Sequence, residues 1–225
     1  MSATQAPPAP KQIHYPDDDG LPMSDNTWQF NWILLLYANL DVQYRNDPNV
    51  FVAGNHLIYA VEGEVGIRQA PDVYVAFGRH KADRGSYKVW EEGGVFPQVV
   101  FEVWSPHNRQ QAMEDKRDFY EKYGAEEYYI VYPEFPSYAE GWLRKDGKLV
   151  RIAEMNGHVS PRLGMRFDMK NGELTFIGRD GRPFRTPTEM AAEQAEAERR
   201  VAEEKERAAK LAAKLRELGV DPDEL

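Results

Sequence analysis

Eight short runs in the middle of the chain constrain its fold more than any other feature. They are "VFVAG", "HLIYAV", "DVYVAF" and "VVFEVW", then, after a helical stretch, "EYYIVY", "GWLRK", "LVRIA" and "ELTFIG". Each is rich in Val, Ile, Tyr or Phe and is bounded by Gly, Pro, Asp or Asn, as strands and their turns require. "KDGK" and "KNGE" read as hairpin turns, because Asp-Gly and Asn-Gly accept positive φ. With helices placed among them, these runs predict an α/β fold, a mixed parallel and antiparallel sheet flanked by helices.

Composition shifts divide the chain. Residues 1–23, rich in Pro and Ala and then "DDDG", hold too little apolar content to order themselves and read as a segment that runs over the surface or stays mobile. Residues 24–186 form the α/β domain. It opens with a helix capped by Ser24 or Asp25 and reaching about Tyr44, whose apolar residues are spread so widely that it should be covered on more than one side. From Pro187 the chain turns to Ala, Glu, Lys, Arg and Leu, the mark of a long helix or coiled coil over residues 187–219, with 220–225 as a tail after Gly219. Glu196 with Arg200, Glu203 with Arg207 and Glu206 with Lys210 have the favoured i,i+4 order. The apolar stripe is mostly Ala in its first half, so it permits a homodimer and equally permits a solvated helix.

Several function classes fall away. The 225 residues contain no cysteine, which removes disulfides, thiolate zinc sites and cysteine nucleophiles. No stretch approaches the ~20 apolar residues of a membrane span, and "MSATQAPPAPKQ" lacks the pattern of a secretory signal, so the default expectation is a cytoplasmic protein without a membrane partner. A formal charge of -9 argues against a simple nucleic-acid coat protein, though not against an enzyme with an acidic metal centre. There is no Walker sequence, dinucleotide fingerprint or G-x-S-x-G elbow, and the histidines show no metal-ligand spacing.

Three residues carry the chemical reading. Asp72 follows Pro71 at the mouth of an apolar strand, and Glu102 lies inside "VVFEVW", where alternation puts it on one face with Val100 and Trp104. Lys116, on the following helix, shares a stripe with Met113, Tyr120 and Tyr123 that should face the sheet. Each has an ordinary reading alone: Asp72 as a turn cap, Glu102 as an edge residue pointing to water, Lys116 as a snorkelling side chain. Jointly they predict a site in which two carboxylates from neighbouring strands and an ammonium from the adjacent helix are completed by a cation. Oxygen ligands of this kind suit Mg²⁺, with Asp72 and Glu102 as metal ligands. Arg79, His80, Lys81, Arg84 and Lys88, between the two acidic strands, read either as a basic rim for phosphates or as a solvated loop. Glu62 and Glu64 are candidates for an outer acid, and His107 for a substrate contact.

The blocks "APDVYVAFGR", "RGSYKVWEEG", "PQVVFEVWSP", "EDKRDFYEKYGAEEYYIVYP" and "GWLRKDGKL" make the chain resemble the Uma-two family of restriction endonucleases, within the PD-(D/E)XK nuclease superfamily. The likeness extends from "YPDDDGLPMSDNTWQF" to "SPRLGMRF", and the charged tail also looks like the family's. The resemblance implies a restriction-endonuclease-like core in which Asp72 is the aspartate of the PD motif and Glu102 the acidic residue of (D/E)XK. The motif's lysine would fall at Trp104, and Lys116 on the helix is the residue that stands in for it. Asn55, Ala112 and Tyr132 depart from the family pattern. The expected function is a Mg²⁺- or Mn²⁺-dependent endonuclease acting on DNA with Asp72, Glu102 and Lys116 as catalytic residues. The alternative is a non-catalytic binding or assembly module that keeps the nuclease scaffold and uses its C-terminal helix.

Overall fold

The computed structural model of the chain describes residues 13–18, 26–106 and 108–218. The chain divides into two compact units, the first ending at Phe184 and the second beginning at Arg185. Among the described residues no helix is long and apolar enough to cross a membrane.

The first unit is built on a six-stranded sheet of order β1-β4-β6-β7-β8-β9. Its strands are β1 (Val50–Gly54), β4 (Val73–Phe77), β6 (Val99–Val103), β7 (Glu127–Tyr132), β8 (Tyr138–Lys145) and β9 (Lys148–Arg151). β6 and β7 run parallel and the remaining neighbours antiparallel, so the sheet is mixed as the sequence predicts. Continuous apolar runs form its centre, and every residue of β6 is buried, as expected of a strand covered on both faces. Asp146 and Gly147 both take positive φ in the β8–β9 hairpin, and Asn171 and Gly172 do so between β10 (Arg166–Lys170) and β11 (Glu173–Ile177). Two-residue strands β2 (Ile58–Tyr59), β3 (Arg68–Gln69) and β5 (Tyr87–Lys88) make a small second sheet.

Helix α1 (Thr27–Gln43) packs on one face of the large sheet. Ile33, Leu36 and Leu40 join Val73, Val75, Phe101 and Val103 there, with Phe167 and Phe176 from the β10–β11 hairpin. Helix α2 (Gln110–Tyr123) covers the other face, where Met113 and Tyr120 meet Tyr74, Val100, Tyr128 and Ile130. It is the crossover that a parallel β6–β7 pair needs. Gly124, at φ 114°, closes it with an αL cap.

Two expectations about α1 are corrected. Its cap is Asn26, whose side chain accepts from the Gln29 N–H, and Ser24 and Asp25 lie outside the described residues. The helix is also buried along a single stripe of Gln29, Ile33, Leu36 and Leu40, while Trp28 and Phe30 are exposed. The many apolar residues widen the helix surface without enclosing it. Part of the first 23 residues is ordered against the body: Tyr15 packs edge-on to Tyr59, and the Tyr59 hydroxyl donates to the Pro16 carbonyl at 2.6 Å.

The second unit is α3 (Pro187–Glu217), started by a capping box between Thr186 and Glu189. Glu196 pairs with Arg200 and Glu206 with Lys210, while Glu203 meets Arg199 at 3.7 Å. None of its residues is buried.

Candidate active site

The pleat and register of two central strands bring the acidic residues together. β4 and β6 are antiparallel, with Val73 opposite Phe101, and one step further along the ladder sets Asp72 beside Glu102. Both project toward α2, because Tyr74 and Val100, two residues away on each strand, belong to the α2 side of the core. Asp72 is buried, and its Oδ2 accepts a hydrogen bond from the Val103 N–H at 2.6 Å. That bond fixes one acid to the backbone of the strand that carries the other.

Glu102 has no solvent exposure, and both its oxygens are engaged. Lys116 Nζ donates to Oε2 at 2.7 Å, and the Tyr120 hydroxyl donates to Oε1 at 2.6 Å. Lys116 and Tyr120 are four residues apart on α2 and so share the stripe facing the sheet. The Lys116 side chain keeps 23% exposure, which leaves the ammonium at the boundary between core and solvent. Burial works against its charge, but attraction to Glu102 and then Asp72 outweighs this, and its pKa lies above the ordinary lysine value. The Tyr120 phenol is pushed well above its usual pKa, by burial first and by Glu102 next. Both groups donate to Glu102, and the carboxylate favours the protonated form of each.

Sequence reasoning found the three charged groups but assigned no role to Tyr120, although it lay on the same predicted stripe. It also missed Gly54. A Cβ at this position would stand 2.9 Å from the Asp72 carbonyl oxygen, and the neighbouring Asn55 N–H donates to that same oxygen at 3.2 Å. A glycine ending "VFVAG" was the available signal, since close backbone approach is one reason for glycine in a strand.

The other candidates lie elsewhere. Glu62 and Glu64 are exposed in a turn, and His107 is outside the described residues. The basic segment is largely tied into the fold. Arg84 pairs with Glu92 at 2.6 Å and lies over the Phe51 ring, Arg79 donates to the Glu92 carbonyl, Lys81 faces Asp41 at 3.6 Å and Lys88 meets Glu91 at 3.2 Å. His56 sits between the Tyr74 hydroxyl and the Arg84 carbonyl, and burial holds its pKa below the usual imidazole value.

One further buried carboxylate escaped prediction. Glu127, on the α1 side of β7, accepts from the Ser160 and Tyr129 hydroxyls and from the Arg162 N–H. Its partners are hydroxyls and a backbone amide, and they stitch the 160–164 turn to the sheet.

As a metal site the residues offer hard oxygen donors on adjacent strands, the ligand type that Mg²⁺ and Mn²⁺ take. Among the described residues no group of three or more His, Cys, Asp or Glu is assembled, so water and main-chain oxygen would have to complete any coordination sphere.

No curated protein matches the chain. Among solved structures it is similar to one titled as a putative nuclease belonging to DUF820 from Anabaena variabilis ATCC 29413, at 11% identity and a TM-score of 0.46, over 62% of this chain and 74% of that one. Residues 5–156, which contain Asp72, Glu102, Lys116 and all six strands of the large sheet, match the family Uma2, described as "Putative restriction endonuclease", and the chain belongs to that family.

Proposed function

We propose that this chain is a divalent-metal-dependent nuclease that hydrolyses phosphodiester bonds of DNA, with Asp72 and Glu102 as metal ligands and Lys116 as the catalytic ammonium. The observation that carries this reading is the buried arrangement of two carboxylates and one ammonium at the boundary of core and solvent. Its formal charge is one negative, which repels a phosphate until a cation is added. A bound Mg²⁺ or Mn²⁺ would supply that charge and make a coordinated water a better nucleophile near neutral pH. Lys116 steadies an oxygen of the attacking water or of the phosphate and offsets negative charge as it builds on phosphorus. Tyr120 keeps Glu102 in one rotamer, and Val103 does the same for Asp72.

Incubation of plasmid and oligonucleotide DNA with the full chain tests this reading. Cleavage should require Mg²⁺ or Mn²⁺, stop in EDTA, and fall at least ~100-fold in Asp72→Asn, Glu102→Gln and Lys116→Met, with folding checked by circular dichroism. Undiminished cleavage by these variants would remove the assignment.

One observation favours a second reading, a non-catalytic binding module on the same scaffold: Glu102 already has both oxygens engaged, and no third acid joins the pair among the described residues. Titration calorimetry separates the two, because the module should release or absorb no heat with Mn²⁺ and the nuclease should bind it.

A further inference from the structure

On the α2 side of the sheet a cavity of about 560 Å³ opens between α2 and the ends of β6, β7 and β8. Trp104 is two residues beyond Glu102 on the same face, and Met113 and Arg117, lining the cavity from α2, flank Lys116. The cavity therefore neighbours the acidic site, although Asp72, Glu102 and Lys116 do not themselves line it.

Two features set its chemistry. The first is a stack of rings from the residue just past β6, the end of β7 and the start of β8. Trp104 lies against Tyr132 with centroids 5.4 Å apart and planes at 29°, and Tyr132 lies against Tyr138 at 4.3 Å and 8°. The Tyr132–Tyr138 pair is already closed, so the stack is a platform whose ends present aromatic faces. Tyr138 keeps 42% exposure at one of those ends.

The second is Tyr128, which lines the same cavity and is fully buried, yet its hydroxyl has no hydrogen-bond partner among the described residues. A buried hydroxyl without a partner carries a standing desolvation cost. A tyrosine hydroxyl can donate or accept, and an acceptor entering the cavity would take its O–H. At the rim Glu140 takes a hydrogen bond from Arg151 at 2.5 Å, which places an acceptor and a donor side by side.

The geometry points to a subsite for one unpaired nucleobase of the substrate strand, stacked on the aromatic platform, with an acceptor on its edge receiving the Tyr128 hydroxyl. An aromatic face serves any base, and a buried donor suits a ring nitrogen or carbonyl. In an intact duplex the faces of a base are covered by its neighbours and its pairing edge is taken, so the occupant is single-stranded or turned out of the helix. This inference rests on the nuclease reading and gives it a substrate class: nucleic acid with an unpaired nucleotide beside the scissile bond.

The probe is a short phosphorothioate-linked, cleavage-resistant oligonucleotide carrying 2-aminopurine, single-stranded or annealed, mixed with the full chain in Mg²⁺, which offsets the negative charge of the acidic site. Binding of the single strand should quench 2-aminopurine fluorescence, and the duplex should bind more weakly and be quenched less. Trp104→Ala and the exposed-site variant Tyr138→Ala should weaken single-strand binding by on the order of 10- to 100-fold and reduce the quench. Tyr128→Phe should melt at the same temperature or higher and still bind several-fold more weakly, which a purely structural role for the hydroxyl would not give. Equal quenching by wild type and the two alanine variants, no quenching by wild type, or indifference to strandedness would each overturn the subsite. Cleavage in Mg²⁺ without the quench would leave the nuclease reading standing and remove the subsite. The quench without cleavage would do the reverse.

Discussion

Lys116 and Glu102 illustrate how a buried pair can be costly to break and cheap to replace. The ammonium and carboxylate meet at 2.7 Å with Glu102 wholly buried, so Glu102→Ala strands a cation beside the core and should lower stability by about 3 kcal/mol. The double variant Glu102→Gln with Lys116→Met removes both charges and keeps the volume, and it should stay within about 1 kcal/mol of the wild type; urea melts of the single and double variants measure the difference. Gly54 makes a sharper test of positioning. Because a Cβ there would press on the Asp72 carbonyl from 2.9 Å, Gly54→Ala should shift Asp72 while the sheet survives. Cleavage would fall by about 100-fold, with the free energy of unfolding lowered by only about 1–3 kcal/mol. Neither effect could be read from the chain alone. Glu102 was conspicuous as a charge inside an apolar run, Asp72 stood at the mouth of an apolar strand, and Lys116 fell on the helical stripe that faces the sheet. Gly54 and Tyr120 looked like ordinary strand-end and core residues, since their importance comes from a contact across strands and layers.

At the level of elements, legibility follows how local the deciding interaction is. β1, β4, β6 and β7 were readable from continuous apolar runs, and the β8–β9 and β10–β11 turns from Asp-Gly and Asn-Gly pairs that do take positive φ. β2 is the two-residue middle of the predicted run "HLIYAV", whereas β3 and β5, also two residues long, exist through pairing with a distant neighbour, Gln69 and Tyr87 both with Ile58, so no local pattern marks them. The turn anchored by Glu127 belongs to the same class, and it makes a pH prediction. Burial, the larger influence, raises the Glu127 pKa above the ordinary carboxylate value despite its three donors. The folded chain then holds this proton more tightly than the unfolded one, so the contribution is greatest below the unfolded value of about 4.3 and is lost as pH rises through the folded value. Denaturant melts across pH 4 to 8 should show the stability of wild type relative to Glu127→Gln falling as pH rises. A rising difference would mean that the hydrogen bonds outweigh burial.

For the molecule as a whole, a formal charge of -9 sets the terms on which it can meet a polyanion. Added cations should therefore act on the folded protein itself. If Asp72 and Glu102 hold Mg²⁺ or Mn²⁺ as proposed, a hundred-fold excess over Kd should raise the melting temperature by about 5–10 °C, reversibly with EDTA and not in Asp72→Asn. Scanning calorimetry of the two proteins with and without the ion reads this directly. The crossover between β6 and β7 has a consequence of its own. By carrying Lys116 in over the sheet on α2, the chain sets its ammonium on Glu102 from the layer above, and Trp104, two residues further along, is left to stack on Tyr132. Cation and indole thus share one side of the sheet without competing for the same stretch of backbone, because each is delivered by a different layer.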